Sequence, residues 1–247
     1  MSGKDCSRKI VIIPVYDQIG TIGKVLSRFV ELGVNQICLI VDCPTSTLLR
    51  EIDIAARGIK IPVHIVKNRR RMGIGYALKK GIKYALSEKY NVIVVMAGNN
   101  KDKPEEITRF LKALQAGYEY VQGSRFLLGG RCEKLPILRG TFVRFWPFIW
   151  ALLTGKRCTD VTNGFRAYKA EILKDPRINI EQGWLNSYGL EYYIHFKALT
   201  LGYRFLEVPV SKIYPFRHKG GYSKIRPLKD WWHIVLPPLL LWLKLKR

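Results

Sequence analysis

Acidic residues are scarce in this chain of 247 residues. Aspartate and glutamate together number 19, against 42 lysines and arginines, so the formal net charge is +23. Such an excess of positive charge needs a polyanionic environment, which nucleic acid, anionic lipid or a phosphorylated substrate could supply. Charge alone does not choose among these three.

Cysteine and histidine are also few. The five cysteines form neither a Cys-x-x-Cys pair nor a zinc-site spacing, and their odd number argues against a disulfide framework. The four histidines show no metal-ligand spacing, and no Gly-x-Ser-x-Gly or Cys/His pattern indicates a hydrolase. A reducing, cytosolic compartment is therefore expected.

Long apolar segments are absent as well. Residues 1–9 are polar and lead into an apolar stretch of strand length, without the apolar region and cleavage site of a secretory leader. The longest apolar stretches, residues 142–153 and 234–243, are shorter than the roughly 20 residues that a membrane-spanning helix needs. We expect a protein that stays on the cytoplasmic side of a membrane.

What the chain does contain is an alternation of short β-branched segments with helical patterns. Strands are predicted at residues 10–15, 36–41, 63–66, 92–96 and 118–123, and helices at residues 22–32, 48–57, 74–87 and 104–116. This alternation predicts an α/β fold with a doubly wound, mostly parallel sheet. Apolar residue types make up 48% of the chain, which is enough for one core.

Polar segments follow four of the predicted strands, at residues 16–18, 42–45, 68–75 and 97–104. In open sheets of this type, ligands bind beyond the carboxyl ends of the strands. These segments are therefore the candidate binding rim.

A series of motifs runs through the chain in a fixed order, and the most specific is Asp-Val-Thr-Asn-Gly-Phe-Arg at residues 160–166. The others lie at residues 12–17, 39–42, 68–81, 94–107, 121–131, 202–209 and 217–224. Together they resemble the family-2 glycosyltransferases with the nucleotide-diphospho-sugar transferase fold, especially the dolichol-phosphate mannosyltransferase branch. The resemblance implies a Rossmann-like sheet, the A-type glycosyltransferase fold, and a nucleotide-sugar donor.

The resemblance also implies which residues contact the donor. They are Pro14, Tyr16, Asp17, Asp42, Arg69, Gly73, Gly98, Asn99, Lys101, Ser223 and Lys224. Glycines before a helix let the backbone approach a phosphate, and a carboxylate at a strand end can bind a base or ribose. A helix cap is the alternative role for Asp42. Residues 217–224 resemble a mobile segment that closes over the donor.

One motif departs from the family pattern. Where the family has Asp-x-Asp for a divalent cation, this chain has Ala97 and Asn99, although Asp102 and the following Pro-Glu-Glu are present. Either Asn99 and Asp102 hold Mg²⁺ or Mn²⁺ together with the substrate phosphates, or Lys101, Arg69 and Arg125 neutralise the phosphates instead. Loss of catalysis is a third interpretation.

Catalytic and acceptor roles follow from the same resemblance. It implies catalytic roles for Asp102, Arg125, Asp160 and Glu191, and acceptor contacts for Arg131, Arg139, Asn163, Arg166 and Arg217. The choice among Arg131, Arg139 and Arg144 for a lipid phosphate is open. Asp160 and Arg166 could instead form a structural pair that braces their loop, and Glu191 could be an ordinary solvated charge on an amphipathic helix.

Aromatic and basic residues alternate at residues 138–157 and recur at residues 231–247, which suits a headgroup interface. A buried hydrophobic hairpin or a dimer interface is the alternative. We predict a catalytic domain at residues 1–225 and an amphipathic, membrane-associating tail at residues 226–247.

The predicted function is inverting transfer of a hexose from a nucleotide sugar to a polyprenyl phosphate or another lipid-linked acceptor, at the cytoplasmic face of an anionic membrane. A noncatalytic nucleotide-sugar-binding protein and an enzyme acting on a saccharide hydroxyl are the alternatives. A nucleic-acid partner is not expected, because no recognition motif of that class is present.

Overall fold

The computed structural model describes residues 8–135, 137–214 and 232–246. The strands are β1 (Lys9–Val15), β2 (Gln36–Asp42), β3 (Val63–Asn68), β4 (Val92–Val95), β5 (Tyr120–Ser124), β6 (Arg131–Glu133), β7 (Arg166–Lys169), β8 (Phe205–Pro209) and β9 (Ser211–Ile213). The helices are α1 (Ile22–Leu26), α2 (Ser46–Arg57), α3 (Ile74–Ser87), α4 (Ile107–Gln115), α5 (Ile137–Thr154), α6 (Gly189–Thr200) and α7 (Trp232–Trp242).

Seven strands form one sheet in the order β3-β2-β1-β4-β7-β5-β8. All neighbouring pairs are parallel except the two that involve β7, which runs antiparallel between β4 and β5. The predicted doubly wound, mostly parallel sheet is confirmed. Strand β7 begins at Arg166, the last residue of the 160–166 motif, for which the sequence implied contacts with the acceptor.

Helices cover both faces of the sheet, because alternate residues of the strands face opposite cores. Ile10 and Ile12 of β1 belong to a core shared with α3, α5, α6 and α7. Val11 and Ile13 belong to a second core beneath α1, α2 and α4. The sheet is thus the middle of three layers, and its carboxyl edge is left for a site.

Two predicted helices differ from those observed. Helix α1 ends at Leu26 and not at residue 32, because the following turn bonds Phe29 N to Leu26 O and directs the Phe29 ring into the core. The segment predicted as a helix at 104–116 begins with a 3₁₀ turn at Pro104–Glu106, and the α-helix α4 starts at Ile107.

The prediction of an amphipathic helix around Glu191 is wrong. Nine residues of α6 are buried, on all sides of the helix. A helix that is apolar all round belongs inside a domain, and α6 lies between α3, α5 and α7. Glu191 is therefore not an ordinary solvated charge, since its side chain is only 16% exposed.

Helix α7, which belongs to the predicted tail, packs against α5 and α6. Ile234 and Leu241 are buried, whereas Trp232, Trp242 and Leu245 are exposed. The helix thus has both a packed side and an exposed apolar side. Within the described residues, none of the helices is long and apolar enough to cross a membrane.

His195 on α6 is a source of acid sensitivity. Its ring is fully buried against Tyr120, Trp150 and Phe205, and neither ring nitrogen has a hydrogen-bond partner among the described residues. Burial, followed by the charge of Arg166, lowers the pKa of His195 well below its usual value.

Below about pH 6.5 the unfolded chain binds a proton at His195, whereas the folded protein keeps this ring neutral. We therefore expect the free energy of unfolding to fall as the pH drops below about 6.5, by about 1.4 kcal/mol per pH unit from this group. Urea unfolding of the wild type and His195→Phe from pH 7 to pH 5 tests this expectation. The variant should have the shallower dependence, and parallel profiles would contradict it.

Candidate active site

A cavity of about 340 Å³ opens at the carboxyl ends of β1 and β2. Of the predicted donor residues, Pro14, Tyr16, Asp42 and Gly73 line it. Arg71 lies over the Tyr16 ring, with its guanidinium carbon 4.7 Å from the ring centroid. A flat aromatic and cationic wall opposite a carboxylate suits a base and a ribose.

Asp42 is part of a hydrogen-bonded network that shapes this cavity. Its Oδ1 accepts from Asn68 Nδ2 at 2.7 Å, and its Oδ2 accepts from Met72 N at 3.2 Å. The alternative role as a helix cap belongs to Thr45, whose hydroxyl accepts from Leu48 N. Asp42 therefore links the ends of β2 and β3 at the cavity.

Close packing explains the two glycines at the start of α3. A methyl group at Gly75 would overlap the carbonyl oxygens of Leu185 and Ser187, and one at Gly73 would lie 2.5 Å from Asn186 O. Gly73 also has a φ of 96°, which favours glycine. Both glycines let the backbone of residues 185–187 approach the start of α3 and close one side of the cavity.

We expect Gly75→Ala to lower the free energy of unfolding by about 1–3 kcal/mol, because the new methyl group must push residues 185–187 away. Gly183→Ala is the matched control, since nothing lies within 4 Å of its added methyl group. That control should change the free energy by less than about 1 kcal/mol. Equal losses in chemical denaturation would contradict this account.

The loop after β4 lies under strand β9. Ile213 N donates to Lys101 O at 3.1 Å, and Lys212 Nζ lies 2.8 Å from Asp102 Oδ1. Asp102 is 1% exposed, and its other oxygen accepts from Ala97 N at 3.4 Å. The loop is therefore held from both sides, with its one aspartate in an ion pair.

Three cations gather beside this loop, and two of them lie over the ring of Tyr214. Lys101 Nζ lies 5.4 Å and the Arg139 guanidinium carbon 5.6 Å from the ring centroid, and Lys212 follows on β9. Burial, followed by the like charges of Lys212 and Arg139, lowers the pKa of Lys101 to about 8. The part of this shift that comes from the two like charges indicates a positive potential, in which an anion would be stabilised.

A divalent cation does not fit the described residues of this loop. Ala97 offers no side-chain oxygen, Asn99 Oδ1 accepts from Lys101 N at 3.3 Å, and Asp102 is engaged by Lys212. Nowhere in the described ranges do three His, Cys, Asp or Glu side chains form a group that could hold a metal. Mg²⁺ and Mn²⁺ favour carboxylate oxygens, and the one carboxylate of this loop is already paired with a lysine.

Asp160 and Arg125 form a buried ion pair. Arg125 Nε donates to Asp160 Oδ2 at 2.6 Å and Nη2 to Oδ1 at 2.7 Å, and the two side chains are 1% and 0% exposed. Arg125 also donates to Tyr214 and Thr162, at 2.7 Å each. This geometry corrects the expected contact of Arg125 with a phosphate, because the guanidinium is enclosed by protein.

The partner of Asp160 is thus Arg125 and not Arg166. The pair holds the end of β5 against the 160–162 turn and fixes the hydroxyl of Tyr214. Burial alone would lower the pKa of Arg125, but the charge and hydrogen bonds of Asp160 raise it above its usual value. Both side chains are enclosed by protein, which favours a role in positioning the site over direct contact with a substrate.

Asn163 and Arg166 are likewise buried, which corrects their predicted contact with the acceptor. Arg166 lies in β7 in the middle of the sheet and donates to the carbonyl oxygens of Asn163 and Glu191 and to the Tyr120 hydroxyl. Asn163 is 0% exposed and donates to Gly123 O. Strand β7, which the sequence did not predict, explains why the Arg166 side chain faces protein.

Glu191 lies near the same centre. Its Oε1 is 3.4 Å from Arg166 Nε. Burial raises the pKa of Glu191, and the charges of Arg166 and Lys212 oppose this rise. The structure therefore brings Glu191 together with Lys212 and Asp102, which the sequence spacing did not predict.

The model of the family described as Glycosyl transferase family 2 matches residues 10–175, which is more than half of the chain. The chain belongs to glycosyl transferase family 2. It is a glycosyltransferase, and the resemblance predicted from the motifs is confirmed.

Two relatives of this glycosyltransferase are informative. The undecaprenyl-phosphate mannosyltransferase of Micrococcus luteus is 27% identical over 204 residues, covering 83% of this chain and 83% of that protein. The polyprenol monophosphomannose synthase of Mycolicibacterium smegmatis is 28% identical over 208 residues, covering 83% and 77%.

Solved structures of glucosyl-3-phosphoglycerate synthase from Mycobacterium tuberculosis share the fold. One in complex with UDP has a TM-score of 0.67 at 15% identity and covers 98% of this chain and 82% of that one. Another, with Mn²⁺, UDP and glucosyl-3-phosphoglycerate, has a TM-score of 0.62 at 17% identity and covers 96% and 80%. At these identities the likeness establishes the A-type glycosyltransferase fold alone.

Several other predicted residues lie away from the centre of the glycosyltransferase. Arg131 is exposed and pairs with Glu133 at 3.3 Å, and Arg144 is exposed over the Phe126 ring. Arg69 is exposed and does not line the cavity, whereas Arg71 does.

Two further donor predictions differ in their surroundings. Gly98 packs against Ile13 and Ile22, so its lack of a side chain serves the core. Asp17 is exposed beyond the end of β1, next to the cavity residues Tyr16 and Gln18. Arg217, Ser223 and Lys224 lie outside the described residues, so their roles stay predictions.

Sequence reasoning missed four residues that build the site. Lys212 and Tyr214 follow β8 at the carboxyl edge of the sheet. This position was the only feature of the sequence that could have indicated a role in the site. Glu106 accepts from Ser211 N at 2.8 Å and from Ser211 Oγ at 2.9 Å, so the Pro-Glu-Glu motif anchors β9 over the loop. Arg71 lies two residues from the predicted Arg69, in the same run of arginines.

Proposed function

We propose that this glycosyltransferase transfers a hexose from a nucleotide sugar to the phosphate of a polyprenyl phosphate at the cytoplasmic face of a membrane. The main support for this proposal is the path that helix α5 takes through the structure. The helix begins beside the cation-rich centre with Arg139 and continues as an exposed apolar surface. One helix thus joins a phosphate-binding charge to a surface suited to lipid.

The exposed apolar residues of α5 and α7 support membrane contact. On α5 they are Ile137, Leu138, Phe145, Phe148 and Leu152, and from α7 onward they are Trp232, Leu236, Trp242, Leu243 and Leu245. The two helices pack against each other, so the residues contribute to neighbouring surfaces. Exposed aromatics with nearby Arg144, Lys244 and Lys246 suit an anionic headgroup layer.

The names of the two relatives support the acceptor, because both refer to a polyprenol-linked phosphate or mannose. In the proposed complex the nucleoside occupies the cavity at β1 and β2, with Asp42 and the Arg71–Tyr16 pair as its contacts. The diphosphate extends toward the loop after β4, which is the next strand along the edge of the sheet.

The charges of the centre also favour a phosphate acceptor. A phosphate oxygen is already an anion, so inverting, in-line attack on the anomeric carbon needs no strong base. Asp102 is paired with Lys212, and Asp160 with Arg125. A saccharide hydroxyl would need a base, and its candidate, Glu191, lies 3.4 Å from Arg166. Arg139 is the proposed contact of the acceptor phosphate.

Transfer of radiolabelled hexose from a panel of GDP- and UDP-linked sugars tests the proposal. Acceptors in detergent would be polyprenyl phosphate, the unphosphorylated polyprenol and a soluble saccharide. We expect label in the lipid phase only with the phosphate. Label on the saccharide alone, or on none of the acceptors, would reject the proposed acceptor.

Membrane association is tested separately by flotation with liposomes. Vesicles that contain anionic phospholipid should carry the protein to the top of the gradient, and zwitterionic vesicles should carry much less. Equal flotation with anionic and zwitterionic vesicles would argue against an anionic membrane as the partner.

A further inference from the structure

The loop from Ala97 to Asp102 is arranged for an anion. Lys101 lies on this loop, Lys212 lies on the strand that covers it, and Arg139 shares the Tyr214 ring with Lys101. Among the described residues, the carboxylates within the same charge cluster are Asp102 and Glu191, whose ion-pair partners are Lys212 and Arg166. The described side chains of this centre therefore carry more positive than negative charge.

Nearby contacts hold this arrangement in place. The Asn99 amide oxygen accepts from Lys101 N, and Lys101 O accepts from Ile213 N, so the backbone of Lys101 is fixed at both its N–H and its carbonyl. Lys212 Nζ donates to Asn163 Oδ1 at 3.0 Å while it pairs with Asp102. A metal ion on Asp102 would have to displace a lysine.

The loop is also placed where a donor diphosphate would reach it. Strand β4 borders β1, whose carboxyl end lines the nucleoside cavity. Thr21, which follows the β1 loop, donates to Gly98 O at 3.3 Å and ties the two loops together. A nucleoside in the cavity would thus direct its phosphates toward Lys101.

We propose that Lys101, assisted by Lys212, binds and neutralises the donor diphosphate in this enzyme without a divalent cation. The proposal rests on the proposed function only for the class of donor and does not depend on the acceptor. When the glycosidic bond to the leaving phosphate breaks, the electron pair stays on the phosphate oxygen. Lysine ammonium groups then offset the added charge.

Isothermal titration calorimetry with GDP and UDP tests this inference on the full chain. We expect at least one nucleotide to bind with the same Kd, within about twofold, in EDTA and in Mg²⁺ or Mn²⁺. Lys101→Met should weaken that binding about tenfold or more, because a charge-assisted contact is lost. Lys101→Arg should restore most of it.

Two controls separate this effect from misfolding. Lys112→Met removes an exposed lysine of α4 and should bind as the wild type does. Lys101→Met should bind the corresponding nucleoside monophosphate nearly as well as the wild type, because the lost contact belongs to the second phosphate. That selectivity would not follow from a general loss of structure.

Three results would overturn the inference: binding that requires Mg²⁺ or Mn²⁺, a Lys101→Met variant with wild-type affinity, or no binding of either nucleotide in any buffer. Failure of the acceptor proposal has a different signature. Diphosphate binding would then stay independent of EDTA while no label reached polyprenyl phosphate.

Discussion

Asp160→Asn is expected to lower the free energy of unfolding by about 3–5 kcal/mol. The substitution leaves Arg125 charged, 3% exposed and without the carboxylate that accepts two of its donors at 2.6 and 2.7 Å. A buried charge without its counter-ion carries the full cost of desolvation. Urea denaturation at neutral pH measures the loss.

Asp53→Asn is the matched control, because it removes the same charge from an exposed ion pair with Arg57. A surface pair contributes less than about 1 kcal/mol, so this variant should unfold close to the wild type. The double variant Arg125→Met/Asp160→Asn should recover part of the loss, since neither charge is then left alone. Equal stability of the Asp160 and Asp53 variants would refute the positioning role.

Arg139→Ala is expected to lower kcat/KM for polyprenyl phosphate by about 100- to 1,000-fold, which corresponds to about 2.7–4 kcal/mol of transition-state stabilisation. The reason is its position, since Arg139 shares the Tyr214 ring with Lys101 at the start of α5, the helix that we propose contacts the membrane. Transfer kinetics with the acceptor concentration varied measure the effect.

The other two candidate arginines serve as controls. Arg131 pairs with Glu133, and Arg144 is exposed over Phe126, so alanine at either position should change kcat/KM by less than about threefold. Arg139→Lys should retain part of the activity, because it keeps the charge but loses the bidentate geometry. A larger loss at Arg131 or Arg144 than at Arg139 would reassign the acceptor phosphate.

The two sets of variants distinguish residues that build the site from residues that act in it. Asp160 and Arg125 should affect folding first, because they are enclosed by protein. Arg139 and Lys101 should affect binding and transfer, because both lie over the Tyr214 ring beside the loop after β4 and are partly exposed. From the motifs alone, Asp160 and Arg125 were expected to be catalytic, Lys101 to contact the donor and Arg139 to contact the acceptor.

Much of the framework was determined by the sequence alone. The β-branched segments that became β1 to β5 predicted the parallel sheet, because buried strands must be apolar on both faces. The motif order identified the glycosyltransferase family, and the polar segments after the strands marked the edge that carries the cavity. Pro14, Tyr16, Asp42 and Gly73, which that reasoning singled out, line this cavity.

Tertiary structure alone decided which polar residues face the site and which face one another. The antiparallel strand β7 buries Arg166, and the contact between β5 and the 160–162 turn pairs Arg125 with Asp160. Lys212 meets Asp102 across 110 positions of sequence only because β9 crosses the loop after β4. Ion-pair partners depend on distances in space, and a linear pattern records only the local period of a strand or helix.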